Sequence, residues 1–245
     1  MTIPPSRVIA LIPLKTHPRR PDINLREFER RLEETADAGA DLVIFPECTL
    51  MGYLYEPADL ERFAEPVPGP TVDRLARLAR KHHVAVCFGL LERTPAGVYN
   101  TAILLDRRGE IALKHRKINE QPPFLRGQDV RGVDTEFGRV SILICGDLFA
   151  DDARAQLDAS LDLVLVPMAR AFAGRSPDPD RWEREERQAY LNAAAGLAAT
   201  TAIVNALEVG VDEPSFGGAM LVGPQGQLLA ESPHGSDAIL LWKGV

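Results

Sequence analysis

Short apolar runs, each about a strand long, alternate with stretches in which apolar residues recur every three or four positions. Val8 to Ile12 is the first run. From Asn24 to Ala38, Leu25, Phe28, Leu32 and Ala36 share one helical face, and Gly39 can take the left-handed position that ends a helix. Asp41 to Phe45 is a second buried strand, closed by Pro46-Glu47. Pro70 to His82 repeats the helical spacing with Leu75, Leu78 and Ala79 inward, and Val84 to Leu91 follows as a strand. Val98–Leu105 and Glu110–Ile118 flank Asp106-Arg107-Arg108-Gly109, a hairpin with Gly109 at the turn. Val140–Cys145 and Leu161–Pro167 are further strands, separated by an expected helix from Ala150 to Ser160. Arg181–Ala199 is the longest helical stretch, and Thr201–Asn205, Gly217–Val222 and Gln227–Glu231 finish the sheet. No repeat, linker or charge block divides the chain. The simplest architecture is α/β: one domain over residues 1–245, with two mixed sheets and outer helices.

Composition narrows the functional classes. The 245 residues are 45% hydrophobic and 26% charged with a net charge of −7, ordinary for a globular protein. The acidic balance excludes nucleic acid or an anionic membrane as the main partner. No stretch approaches the ~20 apolar residues that span a bilayer. Cys48, Cys87 and Cys145 are an odd number, far apart, with no CxxC pair. A disulfide framework or zinc site is therefore not expected, and a reducing, cytoplasmic location is. Five of the 28 cations are lysines, which draws attention to each one.

In α/β folds reactive groups gather where strands end. Three strand ends carry them here: Glu47, Lys117 and Cys145. Gly146 follows Cys145, so a substrate can approach the backbone closely, and Asp147 comes next. A cysteine nucleophile needs a base or a neighbouring cation. No histidine is comparably placed: His82-His83 ends a helix, His17 and His234 sit in loops, and His115 shares a strand with Lys117. Each of the three residues alone has a bland reading, as a buried thiol, a solvated strand end or a surface cation. Spacing alone does not bring them together.

Five segments, in order, resemble the carbon–nitrogen hydrolase (nitrilase) superfamily. Leu42-Val43-Ile44-Phe45-Pro46-Glu47 with Met51-Gly52-Tyr53 resembles its general-base signature. Tyr99-Asn100-Thr101-Ala102 with Asp106 and Gly109-Glu110, then His115-Arg116-Lys117-Ile118, resembles the hairpin and its lysine. Gly138-Arg139-Val140 through Ile144-Cys145-Gly146-Asp147 resembles the nucleophile signature. Asn205, Phe216-Gly217-Gly218 and Pro224-Gln225-Gly226 resemble the closing strands, so the likeness spans roughly residues 6–242.

The resemblance implies a four-layer αββα sandwich, at least a homodimer, and no metal or organic cofactor. It implies hydrolysis of a small linear amide, of ω-amide or N-carbamoyl type, with water as co-substrate. Cys145 would be the nucleophile, Glu47 the base, and Lys117 with the Gly146 backbone N–H the oxyanion donors. A nitrilase, an acyltransferase or a non-catalytic ligand-binding or scaffold member of the same fold are the alternatives.

Departures from the pattern fall where a pocket would be built. Glu120 is the nearest candidate for a second site glutamate, but Glu120-Gln121-Pro122-Pro123-Phe124 is not an obvious match. Leu148-Phe149-Ala150-Asp151-Asp152 replaces an aromatic-Pro-Glu run, and Gly196-Leu197 stands where a Glu-Asn pair is common. Glu120, Tyr53, Phe149, Arg170 and Phe172 are the candidate lining residues. A solvated loop of mixed charge is the first reading of this region; against it, Arg170 and Arg175 can bind a carboxylate bidentately, or Asp147, Asp151 and Asp152 can favour an amine. Trp182 and Tyr190 are expected as packing anchors on the late helix.

Overall fold

The computed structural model describes residues 7–172 and 178–244, so Arg175 lies outside the described residues. Two six-stranded mixed sheets face each other. The first contains β1 (Val8–Leu11), β3 (Leu42–Ile44), β4 (Ala85–Thr94), β5 (Gly97–Leu105), β6 (Ile111–Arg116) and β14 (Leu240–Lys243), in the order β14-β1-β3-β4-β5-β6. The second contains β7 (Gly132–Thr135), β8 (Gly138–Ile142), β9 (Leu163–Met168), β10 (Thr200–Asn205), β12 (Ala219–Val222) and β13 (Leu228–Glu231), ordered β13-β12-β10-β9-β8-β7. A small parallel pair, β2 (Lys15–Thr16) with β11 (Leu207–Glu208), joins the two ends of the chain.

Three apolar layers hold the sandwich together, as period-two strands and period-three-to-four helices require. Between the sheets, Ile9, Leu11, Leu42, Ile44, Cys87 and Leu104 meet Val140, Ile142, Leu163, Leu165, Val204 and Leu221. The other face of the first sheet packs on α1 (Pro21–Asp37) and α3 (Pro70–His82) through Phe28, Leu32, Leu75 and Ala79 against Phe45, Val86 and Phe88. The other face of the second sheet packs on α6 (Arg187–Ala195) through Tyr190, Ala193 and Ala194. Helices therefore flank two sheets, the four-layer αββα arrangement. Trp182 and Tyr190 are buried in this last layer, as packing anchors.

Some boundaries differ from the sequence pattern for local reasons. The first helix begins at Pro21, whose fixed φ suits a first helical position. The helix expected over 150–160 shrinks to α4 (Asp151–Arg154), because a 3₁₀ turn over Cys145–Phe149 uses the preceding residues. The late helix opens as α5 (Pro179–Arg181) and passes through a π-turn at Trp182–Glu186 before α6 ends at Ala195. Gly217 and Gly218 have φ of +71° and +82°, so β12 starts only at Ala219. The helix α2 (Pro57–Phe63) and the edge strands β7 and β14 carry too little periodicity for the sequence pattern to mark them. Among the described residues no helix is long and apolar enough to cross a membrane.

Candidate active site

The ends of β3, β6, β8 and β9 converge at one edge of the sandwich. After β3 the chain turns tightly across β4: Gly89 donates to Pro46 O (3.1 Å) and accepts from Thr49 N (3.1 Å). A Cβ on Gly89 would stand 2.6 Å from Cys48 N and 2.8 Å from Glu47 Cα, so only glycine lets this segment lie so close. Glu47 is thereby held with 2% exposure, its carboxylate turned into the gap between the sheets.

That carboxylate is fully engaged. Oε1 accepts from Lys117 Nζ at 2.8 Å and from Asn100 Nδ2 at 2.6 Å; Oε2 accepts from Ala169 N at 2.8 Å, just past β9. Lys117 N bonds Asn100 O at 2.9 Å, which extends the β5–β6 pairing by one residue and aims the lysine inward. Its Nζ also lies 3.3 Å from Glu120 Oε2 and 5.1 Å from the Tyr53 ring centroid. Glu120 is tied in by Tyr53 Oη (2.7 Å), Asn100 Nδ2 (2.9 Å) and Gln121 N (3.0 Å). Burial alone would neutralise Lys117, but Glu47, Cys145, Tyr53 and Glu120 outweigh it and hold the ammonium well above its ordinary range.

Cys145 sits at a corner after β8 with φ of +47°, a conformation that costs a non-glycine residue about 1–2 kcal/mol. Strain of this kind persists where surrounding bonds over-determine it. The thiol is pushed up to about 12, first by burial and then by the Glu47 charge, with Lys117 and the Ala169 N–H pulling the other way and a hydrogen bond to Glu47 favouring the protonated form. At neutral pH it therefore keeps its proton and hands it over only to a base already in contact.

A cavity of about 400 Å³ opens over Cys145 and Gly146, walled by Phe149, Met168, Ala189, Arg170, Glu185 and Glu186. A larger one, about 550 Å³, is lined by residues such as Leu104, Arg107, Ile111 and Phe137, none of which bears on the thiol. Chemistry favours the smaller cavity.

The structure brings Glu47, Lys117, Cys145, Gly146, Glu120 and Tyr53 together, and Phe149 and Arg170 onto the cavity wall. Phe172 is not on that wall: it stacks on Phe216 (4.4 Å between centroids) beneath the second sheet. The aspartates expected to favour an amine do not line it either. Asp147 is wholly buried, Asp152 pairs with Arg126, and the carboxylates at the cavity belong to Glu185 and Glu186. Arg170 is already engaged by Glu186 at 3.1 Å. Gly146 has a second constraint besides substrate approach, since a Cβ there would lie 2.9 Å from Asn119 Nδ2. Asn100, which bridges the two glutamates, reads in the sequence only as part of a hairpin; a polar amide in mid-strand is its sole signal.

The sequence profile of the carbon–nitrogen hydrolase family matches residues 9–242. The chain belongs to that family. An (R)-stereoselective amidase from Pseudomonas sp. is 30% identical over 204 residues, 81% of this chain and 71% of the relative. A probable nitrilase of Schizosaccharomyces pombe is 26% identical, spanning 89% of this chain and 80% of its own. The crystal structure of an amidase from Nesterenkonia sp. superposes with a TM-score of 0.80 at 26% identity, covering 98% of this chain and 91% of that one. The fold is thus that of this family's amidases, an enzyme scaffold for cleaving carbon–nitrogen bonds.

Proposed function

We propose that this carbon–nitrogen hydrolase is an amidase that cleaves small linear amides, of ω-amide or N-carbamoyl type, through a thioester on Cys145. The observation that carries the reading is the contact of Glu47 with both Lys117 Nζ, at 2.8 Å, and the Cys145 thiol. The amidase relatives support the reaction class.

In the first half-reaction Glu47 takes the thiol proton as the sulfur forms a bond to the amide carbon. Lys117 and the Gly146 N–H receive the oxyanion, each preorganised donor contributing about 3–4 kcal/mol to the transition state. Glu47 then passes its proton to the nitrogen as the C–N bond breaks, and the amine or ammonia leaves. In the second half-reaction a water attacks the thioester carbon, Glu47 takes its proton, the carboxylic acid departs, and the sulfur regains its proton. Glu120 accepts no proton in this scheme; its charge and its bond to Tyr53 keep Lys117 protonated and fixed.

A buried cluster of two carboxylates and one ammonium is costly to keep unless it does chemistry, which weighs against a non-catalytic binding or scaffold role. Nitrile hydrolysis and acyl transfer would use the same sulfur. Product analysis separates them: paired amide and nitrile substrates, with and without hydroxylamine, should give acid and ammonia from the amide. Turnover of the nitrile alone, or an amide that yields acyl hydroxamate with hydroxylamine but no acid in its absence, would overturn the amidase reading. Assembly into a homodimer or larger homo-oligomer belongs to the same proposal, and a stable monomer on sedimentation at micromolar concentration would contradict it.

A further inference from the structure

Two buried ionisable residues beside the site take no part in that scheme. Asp147, fully buried, lies two positions past Cys145, and His115, 3% exposed, lies two positions before Lys117. Asp147 Oδ1 accepts from Ile118 N at 3.0 Å and Asn119 N at 2.7 Å. Its Oδ2 accepts from Ile144 N at 3.1 Å and faces His115 Nε2 at 2.9 Å. A carboxylate offers only acceptors, so the imidazole proton sits on Nε2. The other ring nitrogen, Nδ1, is buried with no hydrogen-bond partner among the described residues, so the Asp147 contact is the polar engagement they give the ring.

The donors are not scattered. Ile144 immediately precedes the nucleophile, and Ile118 and Asn119 immediately follow the lysine. Asp147 N also donates to Ile144 O at 3.0 Å, so the two residues bracket Cys145 and Gly146 reciprocally and close the corner in which Cys145 has its φ of +47°. Asn119 adds a tie of its own, Nδ2 to Gly146 O at 3.1 Å. One side chain thus joins the strained nucleophile corner on the second sheet to the lysine loop on the first.

We infer that Asp147, oriented by His115, is a positioning residue that sets the attacking sulfur and the Gly146 N–H against Lys117. This rests on the amidase reading for the reaction but not for the geometry. An amide at position 147 keeps the shape yet turns one acceptor into a donor. A tautomer change lets His115 accommodate that, whereas Ile144 N–H then faces another N–H. The nucleophile corner is where the misfit must appear.

The test compares Asp147→Asn, His115→Phe and His115→Gln with wild type, all in the full chain. Turnover of a short amide is measured alongside the rate of Cys145 alkylation by iodoacetamide and the melting temperature. The expected result for Asp147→Asn is a loss of about 100-fold in kcat with KM nearly unchanged, the scale that an ångström of misplacement produces. Cys145 alkylation should slow in parallel. His115→Phe should lose activity in the same sense, and His115→Gln, which retains a donor towards Asp147, should recover most of it. Variants that melt lower but keep wild-type kcat and alkylation rate per folded molecule would make the pair merely structural and overturn the inference. So would equal losses in His115→Phe and His115→Gln. Alkylation is read without any substrate, so absence of amide turnover in wild type would refute the amidase reading while leaving the positioning test intact.

Discussion

At the scale of single residues, the burial of Cys145 decides how its chemistry must start. A thiol held at about 12 is almost wholly protonated near neutrality, so no standing thiolate attacks the amide; the base has to act during the attack. Glu47→Gln should therefore lower turnover by about 10²–10⁴-fold, the usual contribution of a positioned general base. The fold should survive, because Glu120 still faces Lys117 at 3.3 Å. Steady-state kinetics with a melting curve checks this, and turnover within tenfold of wild type would remove Glu47 from the role. Glu47, Lys117 and Cys145 were legible in the sequence because each stands where an apolar run stops, and because their order matches a family pattern. Glu120, Asn100 and Asp147 were less so. Their importance comes from hydrogen bonds to residues 20 to 67 positions away, which no local pattern encodes.

At the scale of elements, strands with an uninterrupted apolar run or a clear turn announced themselves. The β5–β6 hairpin closes at Gly109, φ +73°, as its Asp-Arg-Arg-Gly turn requires. Two of the four edge strands did not: β7 alternates weakly over Gly132–Thr135, and β14 is short and half exposed. The 3₁₀ corner at Cys145–Phe149 was also invisible, since it depends on Asp147 reaching back to Ile144. One charge cluster around a buried carboxylate fastens the hairpin. Glu92 on β4 accepts from Thr101 on β5 and from Lys114 and Arg116 on β6. Burial pushes its carboxyl up, but these donors outweigh it and hold it down at about 2. A depressed carboxyl stabilises the fold above its ordinary titration range, near 4.5, and that stabilisation fades as pH falls towards 2. Glu92→Gln should accordingly lower the urea midpoint at pH 7, with the gap closing by about pH 2. A gap independent of pH would show that packing, not charge, is what the substitution removes.

At the scale of the whole molecule, all three thiols are raised: Cys48 and Cys87, fully buried, chiefly by burial, and Cys145, half-buried at the cavity floor, by the burial of its sulfur and by Glu47. A thiol raised in the folded state stabilises it below the unfolded thiol's value, near 9, and loses that contribution as pH climbs towards the folded value. Urea midpoints should therefore fall between pH 9 and 11, less steeply in Cys145→Ala than in wild type; parallel slopes would mean that Cys145 titrates as it does unfolded. The arrangement of two sheets, with β3, β6, β8 and β9 all ending at one edge, explains why residues 47, 117 and 145 form a single site although nearly a hundred positions separate the first from the last. Whether that site cleaves amides is answered most directly by ammonia release from a panel of short linear amides, measured side by side for wild type and Cys145→Ala at equal folded concentration. The account predicts steady release by the wild-type protein and none above background by the variant, with matching melting curves. Release that persists in Cys145→Ala, or a wild-type protein that releases no ammonia from any amide in the panel, would contradict it.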